Sequence, residues 1–239
     1  MTPLEERWRR VLEGKAEAER RAGKAEGSVC LVAVSKLHPA SDIAELFRMG
    51  QKDFGENYMQ EARAKQAELA GMDIRWHAIG AVQTNKAKDV AGHFHLLHTL
   101  ASENLAAALV RRLPAGAAQD VLMEINVGEE PQKAGVLPAD APAFLENLLE
   151  KHLVSESGPG LRLRGLMCLP PRCGEGEEAR PWFAALRMLR DSLVEKFGLP
   201  LPELSMGMSG DYPQAIMEGA TIIRVGTEIF GPRPPKVQG

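Results

Sequence analysis

Residues 29–55, VCLVAVSKLHPASDIAELFRMGQKDFG, predict one complete strand–helix–strand unit. The first seven residues of this stretch are almost all apolar and rich in valine, which predicts a buried strand. Residues 41–49 have the apolar spacing of a helix, with Ser41 as the expected N-cap and Gly50 as the C-terminal stop. A second strand is predicted at 52–55. Because a helix joins the two strands, they are expected to pair in parallel.

The same alternation of strand and helix recurs along the sequence. Further strands are predicted at 74–79, 96–100, 121–127, 163–168, 203–206 and 221–225. Helices are predicted at 59–69, 84–91, 103–112 (capped by Ser102), 141–154, 178–197 and 213–218, with a helical turn at 228–230. An amphipathic helix at 4–21 precedes the first strand. Eight such units predict a closed (β/α)8 TIM barrel with an extra N-terminal helix.

The sequence shows no linker and no shift in composition, so residues 1–239 are expected to form a single domain. The G-x-G-x-x-G fingerprint of a Rossmann domain is absent after the first predicted strand. Residues 170–178 are rich in Gly and Glu and are expected to form a solvated loop without a function.

Composition narrows the classes of function. The formal net charge is −3, and the basic stripe that nucleic acid or an anionic membrane requires is absent. No apolar run is long enough to cross a membrane, and residues 1–10 lack the apolar core of a secretory signal. The three cysteines, Cys30, Cys168 and Cys173, lack zinc-ligand spacing. A protein of the reducing cytoplasm is therefore expected.

Lys36 directly follows the first predicted strand, at the end of a TIM barrel where active sites lie. A lysine amine beside an apolar strand is desolvated, which lowers its pKa and makes it a nucleophile for an aldehyde. The alternative is a lysine at the barrel rim that extends into water.

Two loops rich in glycine and hydroxyl groups follow the seventh and eighth predicted strands. The first contains Gly207, Ser209 and Gly210, and the second contains Gly226 and Thr227. The phosphate sites of TIM barrels usually lie after these two strands, where backbone N–H groups face the anion. The pattern fits a phosphate site and equally fits ordinary turns.

Arg224 lies within the apolar run of the eighth predicted strand. A buried guanidinium needs a partner, either a group inside the barrel or a ligand atom such as a ring nitrogen. An arginine that faces the pyridine nitrogen is a known arrangement for pyridoxal 5′-phosphate (PLP). Because arginine stays protonated, it would leave that nitrogen unprotonated and make the cofactor a weak electron sink.

The histidines are weaker candidates. His93, His95 and His98 are close in sequence, but no carboxylate completes a metal-ligand set, so a structural role is favoured. His77 alternates with Trp76 on the third predicted strand, so one of the two points into the barrel. A hydrogen-bonded interior histidine is favoured there over a catalyst.

Other polar and sulfur-containing side chains give no defined chemistry. Glu56 and Asp211 are far apart in sequence and cannot be assigned as an acid–base pair. Cys168 ends a strand, but no histidine adjoins it in the sequence, so a small buried apolar role is favoured. Met206 and Met208 are expected to be wall residues, with Met206 counted among the cofactor contacts.

Several motifs, in the correct order, resemble the pyridoxal phosphate homeostasis protein family. They are AVSK at 33–36, FGENY at 54–58, WHAIG at 76–80, QTNK at 83–86, GLM at 165–167, LSMGMS at 204–209 and RVGTEIFG at 224–231. The resemblance covers most of the chain, from the first strand to about residue 233.

This resemblance implies a monomer-sized barrel, similar to the N-terminal domain of alanine racemase, that acts in intracellular PLP (vitamin B6) homeostasis. It implies that Lys36 holds PLP as an internal aldimine and that Arg224 meets the pyridine nitrogen. By the same resemblance, Ser209 and the pair Gly226–Thr227 hold the phosphate, and Asn57 lies near the ring. PLP-dependent apo-enzymes are implied as transient partners.

One segment departs from the family pattern, namely Gly210-Asp211-Tyr212-Pro213. Asp211 is kept, but the proline is expected to reshape the start of the following helix.

A binding protein is favoured over an enzyme. A PLP racemase needs acid–base groups on both faces of the substrate adduct. The barrel is expected to account for the whole sequence, and the only tyrosines, Tyr58 and Tyr212, fall in barrel loops. Two alternatives stay open. One is a PLP-dependent racemase of low activity, and the other is an aldolase that uses Lys36 to form a Schiff base with a phosphosugar.

Overall fold

The computed structural model describes residues 1–171 and 176–232, and its core is a closed parallel barrel. The nine strands are β1 Cys30–Val34, β2 Asp53–Glu56, β3 Arg75–Ala78, β4 Leu96–Leu100, β5 Ala118–Ile125, β6 Val154–Ser155, β7 Gly160–Cys168, β8 Glu203–Ser205 and β9 Ile222–Val225. The order is β5-β4-β3-β2-β1-β9-β8-β7-β6, and a further pairing of β5 with β7 closes the ring. Eight strands therefore form the wall, which confirms the predicted TIM barrel.

Helices surround this wall. They are α1 Pro3–Arg21, α2 Ala40–Arg48, α3 Met59–Glu68, α4 Glu103–Val110, α5 Ala141–Glu150, α6 Arg180–Phe197, α7 Tyr212–Met217 and α8 Thr227–Phe230. In the described residues, no helix has both the length and the apolar character that crossing a membrane requires.

Some predicted boundaries differ from the structure. The helix predicted at 84–91 is a 3-10 helix, Thr84–Asp89, whose only buried residue is Ala87, so it lacks the apolar stripe that packs an α-helix. Ser41 is not the N-cap of α2, because the helix begins at Ala40 and Pro39 takes the cap position. Ser102 does cap α4, since its hydroxyl accepts from the Leu105 N–H at 3.2 Å.

The strand β6 has no counterpart among the predicted elements. The helix predicted at 141–154 ends at Glu150, and the two residues of β6 pair in parallel with β7 at Leu161 and Arg162. A strand of two residues has too little alternation to be recognised in a sequence. Part of the loop predicted at 170–178 lies outside the described residues, and Gly176–Ala179 forms a 3-10 turn.

Apolar side chains form two separate layers. The larger layer lies between the barrel wall and the helices. A smaller cluster fills part of the barrel interior and consists of Val32, Leu96, Leu122, Met167 and Ile222. Alternate residues of each strand point inward and outward, so each strand contributes to both layers. Buried polar side chains also lie in the interior, among them His77, His98, Ser205 and Arg224.

The helix α1 packs against the last two helices of the chain, α7 and α8. Its Arg7 donates from Nε to the carbonyl of Ile229 at 2.8 Å and from Nη2 to the carbonyl of Phe230 at 3.2 Å. The guanidinium thus binds the orphan carbonyls of the short helix α8.

Candidate functional site

A cavity of about 460 Å³ opens at the carboxyl ends of the strands, where TIM barrels carry their active sites. It is lined by Val34, Lys36, Asn57, Ile79, Lys133, Leu169, Pro170, Met208, Ser209, Gly210, Arg224, Gly226 and Thr227. Six of the seven residues predicted to bind a cofactor are in this set. The volume is within the usual range for a small-molecule site.

Lys36 leaves the end of β1 and enters this cavity half-buried. The preceding residue, Ser35, is fully buried, and the following residue, Leu37, has a φ of +66°. A left-handed backbone is rare for leucine and stores strain, which persists only where the surroundings hold it. The amine is therefore presented on a fixed turn.

A buried network holds this turn in place. Lys65 Nζ donates to the Ser35 carbonyl at 2.8 Å and to one oxygen each of Glu56 and Glu61, both at 2.7 Å. The same oxygen of Glu61 accepts from the Leu37 N–H at 2.7 Å. Burial raises the pKa of Glu56 despite its contact with Lys65. The sequence analysis did not predict this network. The one feature of the sequence that could have indicated it is the i,i+4 spacing of Glu61 and Lys65 on a predicted helix.

The two predicted phosphate loops meet in the same cavity. Ser209 and Gly210 come from the loop after β8, and Gly226 and Thr227 come from the turn between β9 and α8. A Cβ atom at Gly226 would lie 3.2 Å from the carbonyl oxygen of Val34, so glycine allows a close approach of β9 to β1. The arrangement brings small residues and hydroxyls to the start of a helix, which suits an anion.

The first of these loops is braced from within. Asp211 Oδ1 accepts from the Met208 N–H at 2.6 Å. Gly207 has a φ of +94°, and a Cβ atom there would lie 2.6 Å from Ala215 Cβ. Pro213 lies in the first turn of α7, a position that tolerates proline. The departure from the family pattern is thus accommodated as a helix start.

Arg224 lies at the floor of the cavity and is 4% exposed. Its Nη1 donates to Ser205 Oγ at 2.5 Å, and its Nη2 donates to the carbonyl of Cys168 at 2.9 Å. Burial lowers the pKa of Arg224, but arginine has no accessible neutral form in proteins and remains a cation.

Of the two predicted wall methionines, Met208 lines the cavity and Met206, which was also predicted to contact the cofactor, does not. Met206 is fully buried in the large apolar layer and is not among the residues that line the cavity. Met208 lines it instead and is 38% exposed. The strand β8 ends at Ser205, one residue before its predicted end, so Met206 already belongs to the loop.

The histidines do not form a metal site. Within residues 1–171 and 176–232, no group of three or more potential metal ligands occurs. His93 and His95 are exposed, whereas His98 is fully buried inside the barrel. His77 also points inward and is hydrogen-bonded, as expected, while Trp76 packs against Phe54 with ring centroids 6.3 Å apart.

The cysteine thiols that the structure describes are not activated. Burial raises the pKa of Cys168 to about 12, and burial with the nearby Asp53 carboxylate raises that of Cys30 to about 12. Neither forms a thiolate nucleophile near neutral pH. Cys173 lies outside the described residues.

The two tyrosines lie outside the cavity lining. Tyr58 is 54% exposed at the start of α3. The Tyr212 hydroxyl faces α1, where a Cβ atom at Gly14 would lie 2.2 Å from it. Neither belongs to the residues that line the cavity.

A second lysine lies at the cavity edge, and sequence reasoning missed it. Lys133 Nζ is 2.5 Å from Glu130 Oε2 and donates to the Pro170 carbonyl at 2.8 Å. It sits in the long connection after β5, whose path the sequence did not predict. Any test of Lys36 must therefore distinguish the two amines.

The sequence and the fold were compared with those of known proteins. No protein-family model matches the chain. The pyridoxal phosphate homeostasis protein of Aquifex aeolicus is 43% identical over 229 residues, which cover 95% of this chain and 97% of the relative. The protein of the same name from Pseudomonas aeruginosa is 42% identical over 234 residues, which cover 98% and 97%.

Solved structures give the same fold. The PipY protein of Synechococcus elongatus, whose structure contains bound PLP, matches with a TM-score of 0.78 and 40% identity, covering 91% of this chain and 99% of PipY. Alanine racemase from Corynebacterium glutamicum matches with a TM-score of 0.67 and 16% identity over 96% of this chain and 62% of the racemase, which concerns the fold alone. Because relatives above 30% identity span nearly the whole chain, the protein belongs to the family of pyridoxal phosphate homeostasis proteins.

Proposed function

We propose that this protein binds PLP in the 460 Å³ cavity and serves intracellular PLP homeostasis, with Lys36 as the point of attachment. One observation carries the proposal. A single cavity gathers an amine, a guanidinium and two glycine- and hydroxyl-containing loops, which match the aldehyde, the pyridine nitrogen and the phosphate of PLP.

The donor set fits the cofactor at each end. Ser209 and Thr227 offer hydroxyl groups at the start of α8, and the absence of a side chain at Gly226 leaves space for a phosphate. Arg224 offers N–H donors to a ring nitrogen, and Asn57 offers an amide beside the ring. PLP supplies an aldehyde that condenses with a primary amine, so Lys36 would hold it as a Schiff base. Met206 is buried in the apolar layer outside the cavity and would support the loop that carries Ser209.

We infer that the protein is a carrier rather than an enzyme. A racemase needs a second acid–base group opposite the lysine, and neither Tyr58 nor Tyr212 lines the cavity. Lys133 does line it, but its amine is engaged by Glu130 and by the Pro170 carbonyl. Arg224 would keep the pyridine nitrogen unprotonated, which weakens stabilisation of a carbanion. The one barrel would act as a monomeric PLP-binding domain, in the cytoplasm, and PLP-dependent apo-enzymes would be its transient partners.

The test of this function is the site of covalent attachment. Borohydride reduction of the PLP-loaded protein, followed by peptide mapping, is expected to place the pyridoxyl mass on Lys36. The Lys36→Ala variant is expected to lose the visible absorbance of bound PLP. A phosphosugar aldolase would instead give a borohydride-reduced adduct of its sugar substrate on Lys36, and this protein is expected to give none.

Lys133 provides the matched control, because its amine lines the same cavity. The Lys133→Ala variant is expected to keep both the visible band and the label on Lys36. A label found on Lys133 alone in the wild type would contradict the assignment.

A further inference from the structure

A continuous line of hydrogen bonds crosses the polar interior of the barrel. It begins at Arg224, whose Nη1 is 2.5 Å from Ser205 Oγ. Ser205 Oγ is 2.8 Å from His98 Nδ1, and His98 Nε2 is 2.9 Å from His77 Nδ1. His77 Nε2 is 3.0 Å from Asp53 Oδ1, where the line ends. We call these five side chains the interior chain.

The interior chain links the two mouths of the barrel. Each member is at most 7% exposed. Arg224 lines the cofactor cavity at the carboxyl ends of the strands. Asp53 lines a second cavity, of about 370 Å³, together with Arg75 and other residues near the amino ends. The members come from β9, β8, β4, β3 and β2, so the line passes from one side of the barrel to the other.

The charges at the two ends fix the direction of every hydrogen bond. Arg224 can only donate, and an ionised Asp53 can only accept. Asp53 also accepts from Arg75 Nε at 2.7 Å and Nη2 at 2.5 Å. Burial alone would raise the pKa of Asp53, but its contacts with His77 and Arg75 outweigh burial and hold that pKa well below the usual range. Asp53 is therefore a carboxylate, and His77 must donate to it from Nε2.

The proton positions of the middle members follow from these ends. Burial lowers the pKa of both imidazoles, so each ring is neutral and carries one proton. Since His77 has its proton on Nε2, its Nδ1 accepts from His98 Nε2–H. His98 Nδ1 then accepts from the Ser205 hydroxyl, and Ser205 Oγ accepts from Arg224. Every donor points from the guanidinium toward the carboxylate.

This order stabilises a buried cation that donates to two neutral oxygens, the Ser205 hydroxyl and the Cys168 carbonyl. The negative ends of the hydroxyl and imidazole dipoles face Arg224, and their positive ends face Asp53. Aligned hydrogen bonds polarise one another in a low dielectric. Asp211 and Glu124 add favourable charge around the guanidinium.

We propose that His77 and His98 are positioning residues for the cofactor, which act through Ser205 to hold the Arg224 guanidinium at the floor of the cavity. This inference rests on the proposed PLP site, and it goes beyond it by assigning the orientation of Arg224 to groups at the opposite mouth. When the hydrogen bonds of the interior chain are lost, the guanidinium is free to turn away from the cavity floor.

The first test uses the cofactor-free wild type. Nitrogen-15 NMR of histidine-labelled protein at about pH 7.5, a full unit above the ordinary histidine pKa, is expected to find both His77 and His98 neutral and protonated on Nε2. A proton on Nδ1 of either ring, or an imidazolium at either position, would contradict the direction of the hydrogen bonds in the interior chain and overturn the proposal. This measurement does not depend on PLP.

The second test compares three variants loaded with PLP. His98→Leu removes both hydrogen bonds of the ring, while the side-chain amide of His98→Gln can accept from Ser205 and donate to His77 at once. His95→Leu is the control. His95 also packs on His77, with ring centroids 5.5 Å apart, but it does not belong to the interior chain.

His98→Leu is expected to weaken PLP binding about tenfold, the size of one lost buried hydrogen bond, and to shift the visible absorption maximum of bound PLP. His98→Gln and His95→Leu are expected to keep the wild-type maximum and affinity within about twofold. A wild-type spectrum in His98→Leu overturns the proposal, as does an equal loss in His98→Gln. If His98→Leu does not fold, Ser205→Ala takes its place, because it breaks the same line between His98 and Arg224, and a wild-type absorption maximum in that variant overturns the proposal. Absence of PLP binding by the wild type would instead contradict the proposed function.

Discussion

Ser209 and Thr227 bring two hydroxyls from separate loops into the same cavity. Hydrogen bonds to a charged group contribute about 1.5–3 kcal/mol each. Ser209→Ala and Thr227→Val are therefore each expected to weaken PLP binding at least tenfold. Pyridoxal lacks the phosphate and serves as the control ligand, so its affinity should change little. Equal losses for both ligands in a fluorescence titration would argue against the phosphate role.

At the residue scale, a position in the barrel could be predicted from the sequence where one strand end determines it. Lys36 and Arg224 could be placed because each lies on or beside an apolar run that has to be a strand. The partners of Arg224 could not be placed. His98 and Ser205 are in contact because β4 and β8 face each other across the barrel with a particular stagger. The stagger of the strands depends on the whole barrel and cannot be predicted from the sequence of one segment.

Among the elements, β7 depends on a glycine that packs against backbone. Gly165 pairs with Glu203 of the neighbouring strand β8. A Cβ atom at Gly165 would lie 1.8 Å from the carbonyl oxygen of Glu203. Gly165→Ala must therefore push β7 away from β8 and break the ladder. We expect it to lower the free energy of unfolding by about 1–3 kcal/mol more than a mutation that only strains φ.

Gly160→Ala is the matched control, because Gly160 begins the same strand, has a φ of +100°, and would have no heavy atom within 4 Å of a Cβ atom added to it. It should cost only the strain of a left-handed alanine, about 1–2 kcal/mol. Urea unfolding of the two variants measures the difference. Equal losses would mean that the close approach at Gly165 is unimportant.

Element predictions were accurate where periodicity is strong. The strand at 96–100 has the bounds predicted for it, and the capping of α4 by Ser102 is confirmed. The predictions failed for Thr84–Asp89 and for β6, where local pattern is short. Such segments are determined by the space between neighbouring elements rather than by their own sequence.

At the scale of the whole molecule, buried histidines make stability depend on pH. The pKa values of His77 and His98 are lowered in the folded state because burial disfavours the charged ring. Below the unfolded pKa of about 6.5, the unfolded chain binds protons that the folded chain does not, so the free energy of unfolding falls as the pH falls. Each imidazole contributes a slope of up to about 1.4 kcal/mol per pH unit between its folded and its unfolded pKa. His98→Gln should remove one such slope in urea unfolding followed from about pH 5 to 8, the range in which histidine titrates, and parallel curves would contradict this.

The carrier assignment predicts almost no chemistry at an amino acid. In deuterated buffer, the PLP-loaded wild type is expected to exchange the Cα proton of alanine far more slowly than an ordinary enzyme turns over, about 10 per second. Arg224→Glu, whose carboxyl group can accept from a protonated pyridine nitrogen, is the comparison and should exchange faster. Exchange and racemisation by the wild type at ordinary enzyme rates would replace the carrier with the racemase.

The contact of Arg7 with Ile229 and Phe230 joins the beginning of the chain to the helix beside the cavity. A ribosome makes these partners more than two hundred residues apart, so α1 emerges long before the two helices α7 and α8 on which it packs. The barrel is also open until β9 reaches β1. A nascent chain cannot form the complete cavity until Phe230 has left the exit tunnel, and its exposed strand edges must be protected until then. The lining of the cavity is therefore completed only when β9 and the turn that follows it have joined the barrel.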